Sequence, residues 1–161
     1  MYIEKSKTLP PFSVEYYPFV SVVIPSRNEE HNIEACINSI SQNNYPIDKY
    51  EIIAVNDRST DNTLGILRQL SNVHVNLKIV NITENNKNKN LTGKPGALQA
   101  GINTANGEII LMTDADCVVN QNWIKSLVNT YYDSSVGLTA SFTNINGKNI
   151  FENFQALEWI Y

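Results

Sequence analysis

Between Val20 and Tyr131, short apolar runs alternate with stretches in which apolar residues recur every three or four positions, and that alternation leaves few folds open. Val20, Val22, Val23 and Ile24 form a strand-length run ended by Pro25, and Ile33, Cys36, Ile37 and Ile40 follow at helical spacing. Ser26 with Glu29 three residues on predicts a capping box, with Glu29 and Glu30 on the first helical turn. The unit then repeats: Ile52 to Val55, a polar turn from Asp57 to Asn62, and an inner helix face of Leu64, Leu67 and Leu70. Val75, Leu77 and Ile79 alternate with polar residues, as a half-exposed strand at a sheet edge would. Leu98, Gly101, Ile102 and Ala105 predict a third helix, and Ile109 to Met112 a fourth strand. Asn120 as N-cap with Ile124, Leu127, Val128 and Tyr131 predicts a fourth helix, and Val136 to Ala140 a fifth strand.

Strands joined by single helices imply right-handed crossovers, hence an α/β fold with a mainly parallel sheet and helices on both faces. The 161 residues suit one domain. Residues 1–19, with Pro10, Pro11 and Pro18, read as an extended lead-in to a domain over 20–161, and Thr83 to Gly93 as an Asn- and Lys-rich loop. The aromatic and apolar end, from Phe151 and Phe154 to Trp159, Ile160 and Tyr161, suggests a chain cut from something longer. With 42% apolar residues, 17% charged residues and a net charge of -4, a globular protein is expected, and a nucleic-acid partner is not. Cys36 and Cys117 lack CxxC spacing, no signal peptide is recognisable and no apolar run is long enough to cross a bilayer, so a cytoplasmic setting is the expectation.

Ligands of such sheets sit beyond the carboxyl ends of the strands. That rule singles out Pro25 to Asn28, Asn56 to Asp61 and Thr113 to Cys117. A dinucleotide fingerprint is excluded, because the turn from Pro25 to Glu30 has no glycine and carries two carboxylates. A P-loop is excluded as well, since Gly93-Lys94 is followed by Pro95. Asp114-Ala115-Asp116 places two like charges close together at a strand end, which favours a divalent cation, Mg2+ or Mn2+, whose remaining coordination positions suit diphosphate oxygens. Alone, such a pair is more often a helix cap or a solvated turn than a metal site. Cys117 reads as a small buried hydrophobe, His31 and His74 as surface or helix-face residues, and Trp123, Tyr131 and Tyr132 as core or interface.

Four stretches together resemble the family 2 glycosyltransferases of GT-A fold: Val20 to Glu29 (VSVVIPSRNE), Ile53 to Asp61 (IAVNDRSTD), Gly93 to Gly101 (GKPGALQAG) and Gly107 to Asp116 (GEIILMTDAD). The resemblance runs from about Val20 to the end of the chain. It implies a donor site for a nucleotide-diphosphate sugar in which Pro25 and Arg27 line the nucleobase pocket, with Glu29 of the same motif beside them. It further implies that Asp57 accepts a hydrogen bond from the base, as uracil would supply, that Asp114 faces the ribose or the metal, and that Asp116 binds the metal. Lys94 is read either as a point charge for the diphosphate or as an ordinary surface lysine. The family usually carries two acids where this chain has Asn56-Asp57, a departure that leaves the base less certain.

The implied activity is inverting sugar transfer from a UDP-sugar to a glycan or lipid-linked acceptor, at the cytoplasmic face of a membrane in the full-length protein. Inversion needs a general base, which in that family comes from a segment beyond residue 161. The isolated chain is therefore expected to bind nucleotide and transfer sugar poorly. Two other readings are a non-catalytic nucleotide-binding module, which needs no such base, and a nucleotidyltransferase, which would need a glycine-rich basic turn after the first strand.

Overall fold

The computed structural model describes residues 16–84 and 91–141. Four strands, β1 (Val20–Ser26), β2 (Tyr50–Asp57), β3 (Leu77–Ile82) and β4 (Ile109–Met112), form one parallel sheet in the order β3-β2-β1-β4. Helices α1 (Ile33–Ser41), α2 (Thr63–Ser71), α3 (Gly93–Thr104) and α4 (Trp123–Thr130) alternate with them. From β1 to β3 the chain steps one way across the sheet, then returns past β1 to reach β4. Right-handed crossovers in opposite directions put their helices on opposite faces. Accordingly, α1, α2 and α4 cover Val20, Val22, Ile24, Ile52 and Ala54, while α3 covers Val23, Ile53 and Val55.

The first face is the larger core. Ile33, Cys36, Ile37 and Ile40 of α1 are all fully buried, as their spacing predicts, and each isoleucine removed from water stabilises by roughly 1.5–3 kcal/mol. The α3 face is built differently. Its buried residues are Gly96, Ala97 and Gly101; of the four that periodicity selected, Gly101 is buried while Leu98, Ile102 and Ala105 are only partly so. A Cβ on Gly101 would collide with Val23 Cγ1 and meet Val55 Cγ2 at 3.0 Å, so the helix lies on the sheet through backbone. Close approach outweighs hydrophobic area here, which an apolarity count cannot register.

Other expectations shift at their edges. The sheet extends further than the apolar runs, through Pro25 in β1 and through Asn56 and Asp57 in β2. Pro25 is tolerated because Phe19 and Val23 direct their carbonyls toward β4, so strand alternation points the Pro25 nitrogen the same way, where β4 has already ended at Met112. The capping box does not form: Ser26 Oγ donates to the Val55 carbonyl at 2.9 Å, and α1 begins only at Ile33, with Glu34 in its first turn. Asn120 sits two residues ahead of the α4 cap, where its side chain accepts the Asn122 amide at 2.9 Å. In α2, Leu64 is only half-buried, and Thr63 takes a core position beside Leu67 and Leu70.

β3 occupies a sheet edge as predicted, but Val75 precedes it and is 92% exposed. Residues 136–141 form no strand, with Leu138 83% exposed, so four strands are present among the described residues instead of five. Residues 1–15 of the lead-in, residues 85–90 of the loop and the aromatic end from Phe151 to Tyr161 lie outside the described residues. No helix among the described residues is long and apolar enough to cross a membrane.

Candidate functional site

The strand order reverses between β1 and β4, and the sheet opens there into a cleft of about 400 Å³. Its wall comprises Pro25, Ser26, Arg27 and Glu29 after β1, Asp57 at the end of β2, Gly93, Lys94 and Ala97 of α3, and Asp114, Ala115 and Asp116 after β4. All seven residues that the family resemblance assigned to the donor site, from four separate stretches, border one space. The buried Asp57 and the exposed Asp114 and Asp116 open onto the same cleft.

Each acid is positioned by its own local cause. After β4, the Thr113 amide still donates to the Val23 carbonyl at 3.3 Å. Ala115 is then drawn into the core at 3% exposure, which turns its neighbours Asp114 and Asp116 outward. The Asp114 carbonyl accepts the Cys117 amide at 3.2 Å and lies 3.5 Å from the Cys36 thiol. Burial and the nearby Asp116 push the Cys117 thiol up, and burial with the charges around it pushes Cys36 up to about 12. Both shifts disfavour the thiolate form that a nucleophile needs. Cys117 is half-buried instead of fully buried, with its sulfur 3.7 Å from Asp116 Oδ1.

Lys94 enters the cleft from the first turn of α3. Gly93, at φ 67°, starts the helix, and Pro95 fits the same turn because an N–H there has no partner within the helix. Lys94 Nζ lies 2.6 Å from Asp114 Oδ1. Arg27 is exposed at the rim, with no ion pair among the described residues. Two cations and four acids thus face a space suited to a ligand that carries both a metal and anionic groups.

The β1 and β2 loops are fastened to each other by residues to which the sequence reading gave no such role. Asn28, in the left-handed region at φ 56°, accepts the Thr60 amide through Oδ1 at 2.7 Å, and its own amide donates to Ser59 Oγ at 3.0 Å. The Glu29 amide donates to Thr63 Oγ1 at 2.8 Å, the Glu30 amide to Asp61 Oδ2 at 3.1 Å, and the Asn62 amide to Glu30 Oε2 at 2.9 Å. Burial tends to raise Asp61, but hydrogen bonds from Thr63 and from backbone amides outweigh it and hold the carboxyl below the usual range. The signal was in the sequence, as polar residues dense in both loops, but which loop each would serve is a tertiary fact. Arg58 was also missed; it grips Asp57 through two nitrogens. Asn56, the departure from the family pattern, faces away from the cleft and donates to Asn81 Oδ1 at 2.8 Å.

The donor set fits a hard divalent cation. Asp114 and Asp116 offer carboxylate oxygens in the open part of the cleft, and among the described residues no third Asp, Glu, His or Cys joins them. An ion held there would complete its coordination with ligand oxygens and water, the usual arrangement for Mg2+ beside phosphates.

The Glycosyl transferase family 2 model matches residues 21–159. Among curated proteins, a glycosyltransferase of Haloferax volcanii, AglE, is 35% identical over 142 residues, which is 86% of this chain and 45% of that protein. A poly(ribitol-phosphate) beta-glucosyltransferase of Bacillus spizizenii is 32% identical over 81% of this chain and 20% of its own length. Among solved structures, the mannosyltransferase PcManGT of Pyrobaculum calidifontis, in complex with GDP-Man and Mn2+, superposes with a TM-score of 0.69 at 33% identity, covering 76% of this chain and 35% of that one. TarS 1-349 of S. aureus in complex with UDP-GlcNAc superposes with a TM-score of 0.67 at 27% identity, over 82% and 36%. The chain thus spans less than half the length of these relatives.

Proposed function

The chain belongs to glycosyl transferase family 2, and we propose that its cleft binds a nucleotide-diphosphate sugar with a divalent cation and serves sugar transfer to a glycan or lipid-linked acceptor in the whole protein. The single observation that carries this reading is the meeting of Asp57, Lys94, Asp114 and Asp116 in one cleft at the strand-order reversal. Relatives described as complexes with GDP-Man and Mn2+, and with UDP-GlcNAc, support the same ligand class.

In this reading Asp57, at 4% exposure, accepts a ring N–H of the base, and its depth in the wall sets how far the nucleoside enters. Pro25 and Arg27 border the base, and Glu29, tied to Thr63 through its amide, keeps that rim in place. Asp114 and Asp116 hold the cation, Mg2+ or Mn2+, with Asp116 a direct ligand and Asp114 shared between ribose and metal. Lys94 leaves Asp114 and meets the diphosphate as a point charge. When bound, the cation acts as a Lewis acid that offsets charge on the departing nucleoside diphosphate. Transfer with inversion, by a base outside residues 1–161, completes the proposal, as does a cytoplasmic donor site at the membrane face.

A thermal-shift experiment tests the ligand class. UDP-glucose or GDP-mannose at saturating concentration should raise the melting midpoint in Mn2+ and leave it unchanged in EDTA, since a ligand stabilises only the state that binds it. No rise with any nucleotide sugar in Mn2+ would remove the reading.

A further inference from the structure

Arg58 is held in the left-handed region, at φ 54°, a conformation uncommon and costly for a residue with a Cβ. Along a strand, successive side chains leave opposite faces, so Asp57 and Arg58 would not meet if β2 simply continued. The positive φ folds Arg58 back over its neighbour instead. Nε donates to Asp57 Oδ1 at 2.7 Å and Nη2 to Oδ2 at 3.2 Å. The third nitrogen, Nη1, donates to Glu84 Oε1 at 3.3 Å, just past β3, which fixes the plane of the guanidinium. Arg58 makes this approach from a second hollow of about 190 Å³ that shares Asp57, Gly93 and Ala97 with the donor cleft.

Two parallel N–H bonds take the end-on face of the carboxylate and use one lone pair of each oxygen. A base arriving from the donor cleft then meets only a lateral lone pair of one oxygen. Uracil offers a single ring N–H, which such a lone pair satisfies. Guanine offers N1–H and an N2 amino hydrogen side by side, and the end-on face that would match both is already occupied. Resting on the reading of Asp57 as the base acceptor, we infer that Arg58 is a specificity-determining residue whose grip on Asp57 selects a uridine donor over a guanosine donor.

Calorimetric titration of the 161-residue chain with UDP and with GDP, in one Mn2+ buffer, reads that selectivity. UDP should bind about tenfold or more tighter than GDP. Arg58→Gly suits a positive φ and frees the end-on face, so the UDP-to-GDP ratio should fall about tenfold, chiefly through tighter GDP binding. Arg58→Lys keeps the charge without the fork and should lower the ratio too. A merely structural arginine would weaken both nucleotides alike and leave their ratio in place. Equal or tighter GDP binding by the unaltered chain, or a ratio unchanged in both variants, overturns the inference while leaving the donor site standing. Absence of binding by either nucleotide removes the donor site and this inference together.

Discussion

Lys94 Nζ lies 2.6 Å from Asp114 Oδ1, so the cation proposed to meet the diphosphate rests on an acid proposed to meet the metal. Both side chains are about half exposed, and such a pair contributes only ~0.2–1 kcal/mol. The contact is cheap to break, and a divalent ion competes with Lys94 for the same oxygen.

Lys94→Met should therefore move two affinities in opposite directions. Mn2+ binding without nucleotide, followed by electron paramagnetic resonance of the free ion, should tighten by roughly two- to fivefold. UDP binding in saturating Mn2+ should weaken. A variant that binds Mn2+ alone more weakly would show that Lys94 and the metal do not compete.

Thr63 is fully buried at the start of α2, where its Oγ1 accepts the Glu29 amide and donates to Asp61. Thr63→Val keeps the shape and leaves that amide without its partner, a loss of about 1–3 kcal/mol in stability by urea denaturation. Because the same bond holds the rim at Glu29, UDP affinity should fall as well. An affinity unchanged in a destabilised variant would confine the loop fastening to stability.

Gly101→Ala sets two effects against each other. Helix propensity favours alanine by about 1 kcal/mol, but the new Cβ would collide with Val23 Cγ1 and press on Val55. Overpacking costs about 1–3 kcal/mol and should win, lowering the melting midpoint. A midpoint equal to or above that of the unaltered chain would mean α3 can lift off the sheet without loss.

At the other end of the strands, Glu51 is buried and accepts hydrogen bonds from Ser21 Oγ at 2.6 Å and the Asn106 amide at 2.7 Å, with Lys78 Nζ also at 2.6 Å. Burial raises its pKa, but Lys78, Ser21 and Asn106 outweigh burial and hold the carboxyl below its ordinary value. A carboxyl depressed on folding stabilises above its unfolded pKa and loses that contribution as pH falls through its folded one. Glu51→Gln should thus cost about 1–3 kcal/mol at neutral pH, and the gap to the unaltered chain should close as pH drops below the ordinary glutamate range. A gap constant across that range would mean the charge of Glu51 contributes nothing.

What the sequence made legible follows from how locally each feature is determined. The α1 face could be read because Ile33, Cys36, Ile37 and Ile40 are apolar at one helical period, and all four are buried. The cleft residues could be read because strand ends recur at predictable places, and Asp57, Asp114 and Asp116 stand at two of them. The α3 face was read correctly only at Gly101, because Gly96 and Ala97 pack by being small and carry no apolar signal. The predicted strand at Val136 to Ala140 failed because an apolar run carries no record of a pairing partner, and residues 136–141 join no sheet among the described residues. Arg58 escaped notice because its grip on Asp57 depends on a positive φ, a conformation that an arginine does not announce.

The central claim is that acids from separate strand ends act on one nucleotide through one cation, and calorimetric titration of UDP with and without Mn2+, on this chain and on Asp116→Ala, tests it most directly. Binding should require Mn2+ and should be lost or weakened by about 10²-fold or more in the variant, since a ligating carboxylate is removed. Equal UDP affinity with and without Mn2+, or an Asp116→Ala chain that binds as well as the unaltered one, would contradict it.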